Sequence, residues 1–206
     1  ATFMHILSLV GSAPYFDDAV KSGRYSASGM FTDVSVNWWE LAGKTIGIIG
    51  MGNIGRKVAQ IAEAFGMNVC YFSTSGTSHC KDYPSLPLEQ LLAQSDIVSV
   101  HAPLNERTDA LIGEKELAMM KPSAYIVNMG RGGIVVEEAL VKAVDEGVIA
   151  GAALDVFSVE PLPEDSCYLK ARHPERFRFA PHVAWASEEA RARLLGMVAE
   201  NIAKGW

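Results

Sequence analysis

Short apolar runs alternate with amphipathic stretches from Thr45 onward. Each run is short enough for a buried strand, and the stretches between them repeat apolar residues every three or four positions, as helices do. The predicted strands are 45–49, 68–73, 96–101, 124–129, 149–157 and 177–180. The predicted helices are 54–65, 88–95, 114–119, 137–147 and a last one that begins at Ser187. Strands that alternate with helices predict an α/β fold whose parallel sheet is covered on both faces.

For two of these helices the sequence predicts which face is buried. The first should bury one apolar stripe, formed by Ile54, Val58, Ile61, Ala62 and Phe65. The last, with Ser187 as its N-cap, should bury Ala190, Leu194, Val198 and Ile202.

The first 43 residues differ from the rest of the chain. Residues 1–22 are mostly apolar, but Pro14 and several polar residues interrupt them well short of the ~20 apolar residues that span a bilayer. We therefore predict a buried helix and no membrane segment. Residues 23–43 are aromatic, rich in turn residues and not periodic, which favours an arm that lies across a surface. The chain begins with Ala and not Met, so we expect a piece of a longer protein.

Composition narrows the class of protein. The 206 residues are 49% hydrophobic and 20% charged, as in ordinary globular proteins, and the formal net charge is −6. An acidic balance argues against a nucleic-acid partner, which usually binds a basic face. Three cysteines with no CxxC pair fit a reducing compartment, so we expect a cytoplasmic location. His79 beside Cys80 is a poor metal site with no second pair of ligands nearby, and no metal is expected.

A glycine loop follows the first predicted strand. Gly50, Gly52 and Gly55 form GxGxxG between that strand and a helix, the context that a dinucleotide-binding loop requires. Gly50 would permit the tight turn, Gly52 would let the backbone approach a pyrophosphate, and Gly55 would let helix and strand pack closely. The free N–H groups at the start of the helix would face the phosphates. The loop predicts a Rossmann-type doubly wound sheet.

The choice between NAD and NADP depends on the end of the second strand. An acid there usually binds the adenosine ribose of NAD, but this chain has Ser73 and Thr74, and no acid before Asp82. Hydroxyls can bond a ribose or tolerate a 2′-phosphate. No arginine is close in sequence, only Lys81, so the pattern favours NAD and leaves NADP open.

Four later stretches resemble one enzyme family. Together with the glycine loop, the stretches at 101–113, 127–140, 152–163 and 180–185 are similar to the D-isomer-specific 2-hydroxyacid dehydrogenases, nearest to the glycerate dehydrogenase and hydroxypyruvate reductase branch. Short-chain dehydrogenases, the rival Rossmann enzymes, need a Tyr-x-x-x-Lys pair, and no tyrosine here has a lysine four residues on.

The resemblance implies a division of the chain. Residues 1–185 would be the dinucleotide-binding domain, with an interdomain helix at 1–22 and a dimer arm at 23–43. Residues 186–206 would be the C-terminal crossover helix. Most of the family's substrate domain is then absent from this chain, and a homodimer through residues 1–43 is expected.

The resemblance also implies the site residues. Arg131 would bind the substrate carboxylate and its reacting oxygen, Glu160 would partner the catalytic histidine, and His182 would be that histidine. Asn53 and Ile54 would offer backbone to the pyrophosphate, and Asp155 would hold the nicotinamide amide. The remaining cofactor contacts implied are His101, Ala102 and Pro103 beneath the adenosine, Thr108 near the pyrophosphate or nicotinamide ribose, Ala184 and Trp185 beside the nicotinamide and substrate, and Met129.

These residue types suit the chemistry that the family implies. Hydride transfer between NAD(P)H and a short 2-oxo acid, such as glyoxylate or hydroxypyruvate, requires a proton to move with the hydride. An imidazole can exchange that proton, a carboxylate stabilises its charged form, and a guanidinium fits the substrate carboxylate. Taken singly, Arg131 would be interpreted as a surface charge, Glu160 as a loop residue and His182 as a core residue. Their order in the family pattern favours a catalytic role instead.

An alternative from another class remains open. Transcriptional corepressors share this fold and the same three residues, so a dinucleotide-sensing binding protein is the second hypothesis. For the chain by itself, we expect dinucleotide binding with little or no turnover, because half of the substrate cleft would be missing.

Overall fold

The computed structural model describes residues 1–77 and 80–205, and six parallel strands form its central sheet. The strands are short runs rich in Ile, Val and Ala that are buried on both faces, the composition expected of a covered parallel sheet. Their bounds are β1 (Thr45–Ile49), β2 (Asn68–Phe72), β3 (Ile97–Val100), β4 (Tyr125–Asn128), β5 (Gly151–Leu154) and β6 (Phe177–Phe179). Each predicted strand is confirmed, although most are shorter than the apolar run that predicted them.

Helices connect the strands and precede them. They are α1 (Thr2–Val10), α2 (Ala13–Lys21), α3 (Arg24–Ser28), α4 (Asn53–Ala64), α5 (Leu88–Gln94), α6 (Glu114–Leu117), α7 (Glu137–Asp145) and α8 (Glu188–Lys204), with 3₁₀ turns at Cys167–Lys170 and Pro174–Arg176. Within the described ranges, no helix is both long and apolar enough to cross a bilayer.

The strand order β2-β1-β3-β4-β5-β6 makes the sheet doubly wound. The chain passes from β1 outward to β2 and then returns across β1 to β3, so the winding reverses between β1 and β3. A parallel bridge between Tyr71 and Ser85 adds a rudimentary further strand beside β2. In such sheets ligands bind at the carboxyl ends of the strands, at the point of reversal. The predicted Rossmann-type fold is confirmed, and it fixes where a site should lie.

Side chains on the two faces of the sheet enter separate cores. Ile46 and Ile48 of β1 pack into the core under α1 and α4, whereas Ile49 points into the core under α5, α6 and α7. Gly47 faces Leu91 of α5 so closely that an added Cβ would lie 2.5 Å from a Leu91 methyl carbon. Because side chains point alternately to the two faces of the sheet, one strand packs against the helices on both faces.

The amino-terminal segment forms two helices where the sequence predicted one over residues 1–22. The break lies between α1 and α2, where Ser12 adopts a left-handed φ of 47° ahead of Pro14. The helix α1 packs against β4, β5 and β6 and buries Ile6, Leu9 and Val10. Pro14 explains the break, since proline has no N–H for a continuous helix.

Both predictions of a buried helical face need correction. In α4 the buried stripe is Gly55, Val58, Ala59 and Ala62, while Ile54 is 63% exposed. In α8 the Ser187 side chain accepts the N–H of Ala190 as predicted, but no residue of the helix is buried. The apolar face of α8 is exposed, and its exposed large side chains are Leu194, Leu195, Met197, Val198 and Ile202.

The predicted arm at 23–43 has little regular structure beyond α3. Trp39 stacks on Tyr125 with ring centroids 6.0 Å apart, and the Lys44 ammonium lies over the face of its ring. Trp39 therefore packs onto the domain. Phe31 and Trp38 are 89% and 58% exposed, with Met30 and Val34 exposed beside them. The arm thus packs onto the domain through Trp39 and the buried Leu41, and it leaves an apolar surface uncovered.

Candidate functional site

Four loops meet at the carboxyl ends of the central strands. They begin at Gly50 after β1, His101 after β3, Met129 after β4 and Asp155 after β5. Because all strands are parallel, their carboxyl ends lie on the same edge of the sheet. Most of the predicted site residues follow these strands, so the topology brings them together.

The glycine loop has the geometry that its spacing predicted. Gly50 has a φ of +94°, and a Cβ there would lie 2.9 Å from the backbone nitrogen of Ala102. A Cβ on Gly55 would lie 2.3 Å from the Gly50 carbonyl oxygen, so helix α4 approaches the loop too closely for any side chain. Gly52 has no atom within 4 Å of its missing Cβ. Two glycines are thus required by packing, and the third leaves open space at the start of α4.

The open space at Gly52 fits a pyrophosphate. Asn53 and Ile54 form the first turn of α4, whose N–H groups have no partners within the helix. Such a helix start attracts anions. The exposed Ile54 side chain faces the cleft beside Met129 and Ala184, which explains why it does not join the buried stripe.

An adenosine-sized cavity of about 330 Å³ adjoins the glycine loop. The predicted residues Ser73, Thr74, His101 and Pro103 line it. Ser75, the hydroxyl residue after Thr74, lines it as well. The sequence reasoning missed five further lining residues, of which only Met51 was signalled by its place inside the glycine loop; they are Met51, Tyr71, Thr77, Cys80 and Asn105.

His101 is held neutral in this cavity. Its Nε2 lies 2.8 Å from the Ser99 hydroxyl, whereas its buried Nδ1 has no hydrogen-bond partner in the described part of the chain. Burial lowers the pKa of His101 to about 4, since a charged imidazole would lose its hydration. An apolar, uncharged wall suits an adenine ring.

Ala102 and Thr108, two predicted cofactor contacts, stabilise the loops of the site from behind. Ala102 is 3% exposed and lies behind Gly50, where its backbone packs against the glycine. Thr108 is fully buried, and its hydroxyl donates to the Pro103 carbonyl at 2.6 Å while accepting the N–H of Asn105. Neither side chain faces the cleft, because each is used to hold its own loop.

An arginine lies near the end of β2 in space, although none is close to it in sequence. Arg107 is 32 residues from Ser75 in sequence, yet its Nη1 donates to the Ser75 carbonyl at 2.8 Å. The loop after β3 folds beside the loop after β2, a proximity that separation in sequence hides.

A second cavity, of about 440 Å³, lies on the other side of the glycine loop. Its lining joins residues from five segments of the chain and includes Ile54, Met129, Arg131, Asp155, His182, Ala184 and Trp185. The predicted nicotinamide-side residues are therefore gathered in one place.

His182 and Glu160 form a close pair at this end. Nδ1 of His182 lies 2.6 Å from Oε2 of Glu160, and the other oxygen, Oε1, accepts the N–H of Phe157 at 2.9 Å. The hydrogen bond from His182 lowers the pKa of Glu160 most, with further contributions from the Phe157 N–H and the charge of Arg131. Glu160 is therefore a carboxylate near neutral pH, and the ring nitrogen left for a ligand is Nε2 of His182.

Asp155 fixes the backbone on which His182 stands. His182 has a left-handed φ of 54°, and its N–H donates to the Asp155 carbonyl at 2.8 Å. The Asp155 carboxylate is 1% exposed and accepts the N–H groups of Val183 and Ala184 at 2.9 and 2.8 Å. Asp155 lines the cofactor side as predicted, but both its carboxylate oxygens also hold the histidine turn.

Arg131 is positioned by a residue that the sequence reasoning missed. The Asn128 side chain donates to the Arg131 carbonyl at 2.9 Å and accepts the N–H of Gly130 at 3.0 Å. A Cβ on Gly132 would lie 1.9 Å from the Phe157 carbonyl oxygen, so this turn rests directly on the chain that leads to Glu160. The signal available in the sequence was a polar residue at the end of a buried strand.

The three predicted catalytic residues share one small cavity. Arg131, Glu160 and His182 line a space of about 250 Å³ together with Leu104 and Phe157. One fixed cation, one carboxylate and one imidazole thus converge on a volume that suits a small anionic molecule.

The described residues hold no group of three or more His, Cys, Asp or Glu side chains arranged for a metal ion. His79, weighed above as a metal ligand beside Cys80, lies outside the described residues. Cys70, Cys80 and Cys167 are all free thiols.

Residues 3–184 match the family model described as D-isomer specific 2-hydroxyacid dehydrogenase, NAD binding domain. A glyoxylate reductase of Korarchaeum cryptofilum is 43% identical over 193 residues, which cover 89% of this chain and 56% of that protein. A glycerate dehydrogenase of Methylorubrum extorquens is 37% identical over 187 residues, which cover 91% and 58%. The chain thus spans little more than half the length of these relatives.

A solved structure repeats the fold with a cofactor bound. It is that of an acyclic imino acid reductase in complex with NADPH and D-Arg, which is 30% identical and superimposes with a TM-score of 0.86 over 98% of this chain and 62% of that one. The family match covers nearly the whole chain and coincides with the glycine loop, the two cavities and the His182–Glu160 pair. The chain belongs to the D-isomer specific 2-hydroxyacid dehydrogenases and is an NAD-binding domain of that family.

Proposed function

We propose that this chain is the cofactor-binding and catalytic half of an NAD(P)-dependent D-2-hydroxyacid dehydrogenase that reduces a short 2-oxo acid. The observation that carries the proposal is the shared cavity of Arg131, Glu160 and His182, with the imidazole 2.6 Å from the carboxylate. The relatives named glyoxylate reductase and glycerate dehydrogenase support glyoxylate or hydroxypyruvate as the substrate.

The cofactor fits the two cavities on either side of the glycine loop. The cavity beside Ser73 and His101 would take the adenosine, and the open space at Gly52 would take the pyrophosphate at the start of α4. The cavity lined by Met129 and Ala184 would take the nicotinamide. When bound in this way, NAD(P)H supplies the hydride that reduces C2 of the substrate.

The side chains of this chain would supply the rest of the chemistry. Nε2 of protonated His182 donates a proton to the carbonyl oxygen as that oxygen gains electron density, and the Glu160 carboxylate stabilises the imidazolium until then. The Arg131 guanidinium binds the substrate carboxylate and polarises the carbonyl, since its planar fork carries a permanent charge. In the oxidative direction His182 accepts the hydroxyl proton.

The uncovered apolar surfaces support two further proposals. The exposed arm residues Met30, Phe31, Val34 and Trp38 would be covered in a homodimer formed through residues 1–43, since monomers seldom expose large apolar patches. The exposed face of α8 would pack against a substrate domain, which fits a division into a domain at 1–185 and a crossover helix at 186–206. The three free thiols support a cytoplasmic location.

The test uses a full-length protein that contains this sequence together with a substrate domain. Its oxidation of NADH and NADPH is followed with and without glyoxylate and hydroxypyruvate. We expect oxidation that depends on the 2-oxo acid, and a loss of about 10²-fold or more in H182Q.

A matched control is available in the exposed pair of His173 and Glu175, whose Nδ1 and Oε1 lie 3.2 Å apart away from the site. H173Q should keep full activity. Cofactor binding with no oxidation by any short 2-oxo acid would overturn the proposal and favour a dinucleotide-sensing binding protein.

A further inference from the structure

The loop that follows β2 presents hydroxyls to the adenosine cavity. Ser73 and Ser75 lie with their hydroxyl oxygens 3.1 Å apart, and both donate to the Thr77 carbonyl, at 2.6 and 3.1 Å. All three residues line the cavity, together with Thr74. The outer end of the cavity is therefore a small surface of hydroxyl groups. Each of the two serines has a single O–H, so it would have to exchange its bond to Thr77 for a bond to an oxygen of a ligand.

That surface carries no negative charge. The residues that line the cavity include no aspartate or glutamate. A ribose bound as in NAD enzymes would lack its usual carboxylate partner. A phosphate on the same ribose would meet no carboxylate in the lining; Asp82, which lies 3.9 Å from the lining Cys80 sulfur, is 3.7 Å from Arg56.

Arg107 brings a positive charge to the same loop. Its Nη1 donates to the Ser75 carbonyl at 2.8 Å, and the Asn105 side chain accepts its backbone N–H at 3.0 Å. The side chain is exposed, and in the described ranges it forms no salt bridge with a carboxylate. Arg56, the other arginine on this side of the site, lies 3.7 Å from the Asp82 carboxylate. Lys81 follows farther along the same segment and is also exposed, but Arg107 is the cation that the structure bonds directly to the loop at Ser75.

We propose that the loop at 73–77 and Arg107 form a subsite for the 2′-phosphate of NADP(H), and that Arg107 determines the cofactor specificity. The inference rests on the proposed function, since it concerns the same dinucleotide. A phosphate monoester carries a charge near −2 and three acceptor oxygens, which a guanidinium fork and neighbouring hydroxyls match. NAD(H), which lacks this phosphate, would gain no affinity from Arg107.

The experiment measures binding to this chain with two small probes. Adenosine 2′,5′-bisphosphate carries the 2′-phosphate, and 5′-AMP is identical except that it lacks it. Both are titrated calorimetrically into the unaltered chain, R107Q, R107K and the control R191Q. Arg191 lies on the exposed helix α8, so R191Q changes the net charge equally without touching the cavity.

We expect the unaltered chain to bind the bisphosphate about tenfold more tightly than 5′-AMP, the scale of a hydrogen bond to a charged group. R107Q should lose most of that difference while its affinity for 5′-AMP stays the same. R107K should keep part of it, since lysine supplies the charge without the fork. R191Q should behave as the unaltered chain does.

Two results would overturn the inference and differ in what they say of the proposed function. If the unaltered chain binds both probes equally, or if R107Q weakens both alike, the 2′-phosphate subsite is wrong while dinucleotide binding stands. If the folded chain binds neither probe nor either dinucleotide, the proposed function fails as well.

Discussion

The backbone N–H of His182 donates to the carbonyl of Asp155 at 2.8 Å, and the Asp155 carboxylate accepts the next two N–H groups of the chain. The histidine therefore stands on a turn that one buried aspartate holds by three hydrogen bonds. Its left-handed φ of 54° is uncommon for a residue with a side chain. The strain is sustained because the surrounding bonds fix the turn.

D155N tests this relationship. An asparagine would turn an NH₂ group toward one of the two backbone N–H donors, so we expect a loss of about 1–3 kcal/mol in the free energy of unfolding. His182 should also lose its place beside Glu160, and turnover of a full-length protein should fall well beyond the loss in stability.

The matched control is D145N, because Asp145 also accepts two backbone N–H groups, from Arg172 and His173, far from the site. D145N should lose similar stability and keep its activity per folded molecule. Equal activity losses in the two variants would contradict a specific role for Asp155.

Glu160 should govern the pH dependence of reduction. The hydrogen bond from His182 lowers the pKa of Glu160, so the carboxylate keeps its charge to lower pH than a free glutamate and loses it as the pH falls through that lowered pKa. We expect protonation of Glu160 to produce the acid limb of the rate profile for 2-oxo acid reduction, and we expect E160Q, which reacts more slowly, to lack that limb. E175Q, which removes the carboxylate of the exposed His173–Glu175 pair, should leave the profile unchanged. Superimposed profiles for E160Q and the unaltered protein would show that Glu160 does not partner His182.

His101 should make the fold less stable in acid. Burial lowers its pKa from 6.5 to about 4, so between these two pH values the histidine is protonated in the unfolded chain but not in the folded chain. The contribution of neutral His101 to the free energy of unfolding is therefore fully present above pH 6.5. It decreases by roughly 3 kcal/mol as the pH falls to about 4. Urea unfolding at several pH values should show that H101Q lacks this loss, whereas H173Q keeps it. A pH-independent difference between H101Q and the unaltered chain would contradict the prediction.

Two glycines of one loop should respond differently to alanine. A methyl group on Gly55 would overlap the Gly50 carbonyl, so G55A should lose about 2–4 kcal/mol of stability. A methyl group on Gly52 would enter open space, so G52A should fold normally but lose tenfold or more in affinity for NAD(H) and NADP(H). Thermal melts and calorimetric titrations measure the two effects. G52A with full affinity would place the pyrophosphate elsewhere.

This chain alone should bind dinucleotide and reduce glyoxylate poorly. Arg131 is exposed, and an exposed ion pair with the substrate carboxylate is worth about 1 kcal/mol or less. Positioning of the reactants can account for on the order of 7 kcal/mol or more of a barrier, and this chain spans little more than half the length of its relatives. Titration with NADH together with a glyoxylate assay tests this. Turnover equal to that of a full-length protein would contradict it.

Sequence alone determined the type and order of most elements and the place of the glycine loop. Short apolar runs such as 45–49 favour buried strands between amphipathic helices, and GxGxxG after a strand predicts close packing of helix and loop. The strand and loop patterns are local rules that depend on neighbouring residues. The grouping of Arg131, Glu160 and His182 came instead from the resemblance to the family.

The tertiary structure decided which side of each element is covered and which distant loops touch. Ile54 faces the cleft and α8 stays exposed, because burial depends on what lies opposite and not on periodicity. Thr108 and Ala102 became supports once their loop folded, and Arg107 reached Ser75 only across 32 residues of chain. Asp155 likewise holds His182 through a contact between two strand ends. Such contacts arise from the packing of separate segments, so no pattern along the chain could encode them.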